Sequence, residues 1–148
     1  MTEYLVPYAS AESEFEEKRS RFISHVFLVE TEAEARARID EMKKKYYDAR
    51  HNCWCFVLHD GTVRYGDDGE PQGTGGLPVL DVLKKRGIGD AAIAVVRYFG
   101  GILLGAPGLV RAYSSSASLA VRAAGLVRMT PLAPVTVSVS YPLWGRLE

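Results

Sequence analysis

Cysteine is scarce: the 148 residues include two, Cys53 and Cys55. They stand two apart in what reads as one strand, where alternate positions point the same way with poor disulfide geometry. A secreted disulfide framework is therefore excluded, and a reducing cytoplasm is the expected location. Net charge is missing as well. The 18 Lys and Arg residues balance 18 Asp and Glu residues, which argues against nucleic-acid binding through bulk charge alone. No apolar run is long enough to cross a bilayer, and an N-terminus carrying Glu3, Glu12, Glu14, Glu16 and Glu17 lacks the basic and apolar regions of a signal peptide. No membrane partner is expected. The glycine spacings match neither a Walker A loop nor a dinucleotide fingerprint, so no nucleotide cofactor is expected. Internal repeats and low-complexity tracts are also lacking.

What is present is enough apolar material for one good core, with hydrophobic residues making up 47% of the chain. The charge that cancels overall is unevenly placed. Residues 1–35 hold eight acidic and three basic side chains, whereas residues 75–130 hold seven basic and two acidic. Between Tyr65 and Tyr113 lie an acidic turn (Gly66-Asp67-Asp68-Gly69-Glu70-Pro71), a glycine-rich bend (Gly73-Thr74-Gly75-Gly76), an apolar strand ending in Arg97-Tyr98-Phe99, and a second bend through Gly100, Gly101, Gly105 and Gly108. Glycine loses much backbone entropy on folding and is retained where φ must be positive or where something approaches the backbone closely. Two such bends flanking one strand read as a constructed site.

The periodicities predict a strand over Arg21 to Glu30, preceded by an exposed lead-in from Glu12 to Glu17. Thr31-Glu32-Ala33-Glu34 reads as a capping box opening a helix to about Tyr46, with a core stripe of Ala35, Ile39, Met42 and Tyr46. Lys43-Lys44-Lys45 reads as charge complementing the helix dipole at its C-terminal end, with a nucleic-acid contact as the alternative. Asn52 to Leu58 reads as a strand buried on both faces, with Asp60-Gly61 as a two-residue hairpin turn into Thr62 to Tyr65. Pro78 to Arg86 reads as a short helix and Ala91 to Val96 as a central strand. Pro107 and Gly125 bracket a further helix whose small residues would let it lie close to a sheet. The expected fold is an α/β (α+β) two-layer sandwich, with helices on a mostly antiparallel or mixed sheet. Thr130 to Pro134 is the expected linker, separating a domain of residues 1–133 from a segment, 134–148, too short to fold alone; Val135 to Tyr141 in that segment alternates like a strand.

Several residues have the chemistry of a site. Asp67, Asp68 and Glu70 would bind a divalent ion if folded inward, though carboxylates in Asp-Gly turns often bond their own backbone. Arg97 ends the central strand and Arg111 lies in the first turns of the following helix, where two arginines beside a helix N-terminus suit a phosphate or carboxylate; alternatively they pair with the acidic turn. His51 opens its strand and could reach that turn. His51, Cys53, Cys55 and His59 share a strand face, but a flat strand spreads alternate residues too far for one zinc ion, and no metal or other cofactor is expected. Both cysteines read as small buried hydrophobes. Tyr98, Phe99, Tyr113 and Trp54 are either base-stacking aromatics or core. His51, Asp67, Asp68, Glu70, Arg97, Tyr98, Gly100, Gly101, Gly105, Gly108, Arg111 and Tyr113 form the candidate set, with Asp67, Asp68, Glu70, Arg97 and Arg111 expected on one face.

Taken together, His51-Asn52-Cys53-Trp54, Asp67-Asp68-Gly69-Glu70-Pro71, Gly73-Thr74, Arg97-Tyr98-Phe99-Gly100-Gly101, Leu104-Gly105, Gly108-Leu109 and Arg111-Ala112-Tyr113-Ser114 resemble the signature of the IMPACT family, whose bacterial members are YigZ-like. The resemblance runs from about Phe15 to Thr130. Cys55 stands where alanine is usual, Gln72 and Gly75 where small residues such as Ser and Ala are common, and Pro107 where glycine is frequent. The resemblance implies a first domain like the second domain of small-subunit ribosomal protein five, a ferredoxin-like second domain beginning near residue 134, and a role around translation. Three functions follow as expectations. The leading one is a translation-associated binding module that contacts RNA or a ribosome-associated protein through Arg97, the Gly100 to Gly108 bend and Arg111, without DNA sequence specificity. A hydrolase using Asp67, Asp68 and Glu70, assisted by His51 or Arg97, is the second. The third is a protein-interaction regulator of a translational stress response.

Overall fold

The computed structural model describes residues 3–130. The expected strand from Val135 to Tyr141, the segment 134–148 and all of the expected linker beyond Thr130 lie outside the described residues. The described elements are β1 (Tyr4–Pro7), β2 (Ala11–Glu17), β3 (Ser20–Leu28), α1 (Glu32–Lys45), β4 (His51–Val57), β5 (Val63–Gly66), α2 (Gly76–Lys85), β6 (Ala91–Tyr98), α3 (Gly105–Ala124) and β7 (Leu126–Met129).

The α/β class is as the periodicities predict. A five-stranded sheet runs β2-β3-β6-β4-β5, and every pairing within it is antiparallel. A parallel contact occurs as the single bridge between Leu5 and Ile88, beside the separate β1-β7 ribbon. β6 lies at the centre and is buried along seven of its eight residues. Side chains alternate across a strand, so a strand buried throughout must be covered on both faces. Ala91, Ile93 and Val95 face α2 and α3 with Phe22, Val26, Leu83 and Tyr113, whereas Ala92, Ala94 and Val96 face α1 with Ala35, Ile39 and Met42. The two-layer expectation thus gains a third layer, because α1 covers the face opposite α2 and α3.

Local signals act largely as expected. Thr31 caps α1 by accepting from the Glu34 N–H at 3.2 Å, while Glu34 reaches back to the Glu30 N–H at 3.1 Å, one residue earlier than a strict capping box. The Asp60-Gly61 hairpin has a three-residue loop rather than a two-residue one: Gly61 takes φ +96° and donates to the Leu58 carbonyl, as a type I turn followed by a left-handed residue requires. The acidic lead-in is the edge strand β2. Its odd positions, Ala11, Ser13 and Phe15, are half-buried, and its glutamates at 12, 14 and 16 point outward. Charged side chains on an edge strand discourage pairing with another chain.

Candidate functional site

The acidic turn is held from within. Asp67 follows β5 and places Oδ1 on the N–H groups of Gly75 and Gly76, at 3.1 and 2.9 Å, and Oδ2 on the Gly73 N–H at 2.9 Å. α2 has no side-chain cap of its own and no acidic residue in its first turn, so this carboxylate supplies the missing acceptors at its positive end. Asp68, at φ +42°, accepts from the Asn52 N–H at 2.7 Å. The Asp68 carbonyl accepts from His51 Nδ1 at 2.7 Å, which fixes the imidazole with Nε2 3.4 Å from Glu70.

Glu70 turns inward and is buried. Arg97 Nε donates to Oε2 at 2.6 Å, Arg97 Nη2 donates to Oε1 at 2.8 Å, and the Tyr113 hydroxyl donates to Oε2 at 2.5 Å. Burial opposes the guanidinium charge, yet the Glu70 carboxylate holds the Arg97 pKa above its ordinary value. Burial pushes the Tyr113 phenol upward, with the Cys53 and Glu70 side chains adding to the shift. The phenol stays a neutral donor. The Cys53 thiol, also raised by burial, donates to the Asp67 carbonyl at 3.1 Å and is not poised as a thiolate nucleophile. The three carboxylates of the turn therefore hold backbone N–H groups and a guanidinium, and among the described residues no three His, Cys, Asp or Glu side chains are grouped to hold a metal ion.

These contacts decide between two pairs of alternatives. Arg97 is 7% exposed and doubly bonded to Glu70, so it has no free fork for a phosphate. Tyr113 is 0% exposed and packs edge-on against Phe22, with ring centroids 5.2 Å apart, so it belongs to the core. Tyr98 points to the α1 side, donating to Asp48 at 2.8 Å beneath the Arg21 guanidinium; partial burial and the Asp48 carboxylate push its pKa up to about 12. Arg111 precedes Tyr113 by two helical positions, about 200° around the axis, and is exposed. The structure thus joins His51, Asp67, Asp68, Glu70, Arg97 and Tyr113 in one cluster and leaves Arg111 and Tyr98 outside it.

Arg111 belongs to a second locus. Between the β2-β3 hairpin and the start of α3 lies a cavity of about 230 Å³ lined by Phe15, Glu17, Lys18, Leu104, Gly108, Arg111, Ala112 and Ser115. The hairpin turns on Lys18 and Arg19, at φ +46° and +67°. Two positive φ values match the handedness of a tight hairpin, but that turn is normally made by Asn-Gly, and each side chain there adds strain on the order of 1–2 kcal/mol. Gly100 presses on this turn: a Cβ on it would stand 1.9 Å from the Arg19 carbonyl oxygen. Ser20 Oγ lies 3.4 Å from both the Gly100 N–H and Arg97 Nη1, so the buried ion pair braces the turn from beneath. Gly101 and Gly105, at φ +90° and +75°, shape the exposed bend that carries Ile102 and Leu103. Lys18, Arg19 and Arg111 form no ion pair among the described residues. The sequence reading passed over Phe15, Lys18, Arg19 and Ser20; a basic dipeptide directly after the acidic edge strand was the available signal.

The family model for the Impact N-terminal domain matches residues 18–121. The chain is 42% identical over 147 residues to the IMPACT family member YvyE of Bacillus subtilis (strain 168), covering 98% of this chain and 68% of the relative. It is 39% identical over 145 residues to the IMPACT family member YigZ of Escherichia coli (strain K12), covering 95% of this chain and 71% of that protein. A crystal structure described only as that of a hypothetical protein superposes with a TM-score of 0.82 at 38% identity, over 88% of this chain and 66% of the other. The chain thus spans about two thirds of the length of these relatives.

Proposed function

The chain belongs to the IMPACT family through its Impact N-terminal domain, and from that membership we propose that it is a translation-associated module whose basic locus contacts the phosphate backbone of RNA. The observation that carries this reading is the strained Lys18-Arg19 turn set beside Arg111. Strained backbone persists where the surroundings over-determine it, and here the strained turn sets Lys18 at a cavity that Arg111 also lines. The start of α3 has no side-chain cap and no acidic residue in its first turn, and its N-cap residue Leu104 lines the same cavity. The IMPACT resemblance supplies the translational setting. The hydrolase alternative loses support because Asp67, Asp68 and Glu70 are bound to N–H groups and Arg97.

Salt titration of RNA binding tests the proposal. With two to four phosphate contacts and no net charge to assist, binding should be weak, and log affinity should fall against log salt with a shallow slope of about −1 to −3. Alanine at Arg111 should weaken all sequences alike, since phosphate contacts position without specifying. Absence of salt-sensitive binding at low ionic strength would sink the proposal.

A further inference from the structure

The cavity beside the Lys18-Arg19 turn has one apolar wall and one polar rim. Phe15, Leu104 and Ala112 form the wall; Lys18, Arg111, Glu17 and Ser115 form the rim. Phe15 is half-buried, anchored from behind by Phe22 with ring centroids 6.1 Å apart. Backbone contact alone requires no such wall, because phosphates take cations and N–H donors. An aromatic wall with cations at its edge suits a nucleotide removed from its stack.

Resting on the RNA reading above, we propose that this cavity receives one unstacked nucleotide of a single strand, with its base against Phe15 and its phosphate on Lys18 and Arg111. Glu17 adds a direction to this. A carboxylate accepts and cannot donate, so it favours a base edge carrying two adjacent donors. Guanine offers N1–H and the 2-amino group side by side, whereas uracil presents one N–H between two carbonyls. The site therefore prefers guanine, tolerates adenine and cytosine through their amino groups, and disfavours uracil.

The test uses the full chain with GMP, UMP and inorganic phosphate, followed by short G-rich and U-rich single strands and an RNA duplex, read by titration of backbone amide resonances. The expected result is a shift of residues around positions 15, 18, 104 and 111 by GMP at concentrations where phosphate has no effect, with UMP several-fold weaker. Phe15→Leu, which keeps an apolar side chain but loses the ring face, should weaken single-strand binding about fivefold or more. Glu17→Gln, an exposed change that leaves the core untouched, should flatten the preference for guanine. Equal binding of GMP and phosphate, or duplex binding as tight as single-strand binding, would overturn the nucleotide pocket while leaving phosphate contact intact. An oligoglutamate peptide binding as tightly as the RNA would overturn it in favour of an acidic protein partner, and no RNA binding at all would end both readings.

Discussion

Two clusters of charge meet at the bend after β6, and they use the same residue types in opposite ways. Around Glu70 the charges are buried and mutually bonded, with Arg97, Tyr113 and His51 closing on one carboxylate. At the β2-β3 turn Lys18, Arg19 and Arg111 are exposed and unpaired among the described residues. A guanidinium buried against a carboxylate has its hydrogen-bonding capacity filled internally, whereas an exposed one keeps it for a ligand. Ser20 and Gly100 connect the two clusters, so the first is the foundation on which the second is held.

Breaking the foundation should produce the largest effect. Glu70→Ala leaves Arg97 as a buried charge without its partner and should destabilise the fold by about 3–5 kcal/mol in denaturant unfolding. The double change Glu70→Leu with Arg97→Met should recover a large part of that loss, since it removes both charges. Next comes the joint between the clusters. Gly100→Ala sets a Cβ against the Arg19 carbonyl and should cost about 1–3 kcal/mol while also lowering RNA affinity, which neither cluster's outer residues would do together. Asp67→Ala removes the acceptor of three N–H groups at the start of α2 and should cost about 2 kcal/mol in the same unfolding measurement.

A smaller effect lies far from both clusters and serves as their control. His59 Nδ1 stands 2.7 and 2.9 Å from the two oxygens of Asp90, with Tyr4 stacked on its ring, and the Asp90 hydrogen bond followed by its charge raises the histidine pKa. A raised folded-state pKa contributes stability that is complete below the unfolded value of about 6.5 and is lost as pH rises through the folded value. Burial lowers the His25 pKa and acts in the opposite direction over the same range, so the readout is a difference: the melting-temperature advantage of the unsubstituted chain over His59→Gln should shrink as pH rises above about 6.5. RNA binding should not follow it.

The sequence made parts of this legible and hid others for physical reasons. α1 could be read because its cap, its apolar stripe and its terminal lysines all lie within 15 positions of one another. Pairing of Arg97 with the acidic turn was legible as one of two alternatives, but not that it would win or that Glu70 would be the partner, because the pair joins groups 27 positions apart and depends on how the sheet closes. The divergence of Arg111 from Tyr113 follows from helical period alone, so expecting both in one site overlooked a signal that was present. The Lys18-Arg19 turn contains neither glycine nor asparagine, and its positive φ values become apparent only from the Glu17 and Ser20 pairing and the pressure of Gly100.

The most direct test of the account is the salt dependence of RNA binding by the Lys18→Ala/Arg111→Ala double variant beside the unsubstituted chain, with unfolding followed on the same samples. The stability of the two proteins should agree within about 0.5 kcal/mol, because both side chains are exposed and unpaired. The account predicts weaker binding and a salt slope shallower by about 1.4, as loss of two phosphate contacts requires. Unchanged affinity and slope in a fully folded double variant would contradict it.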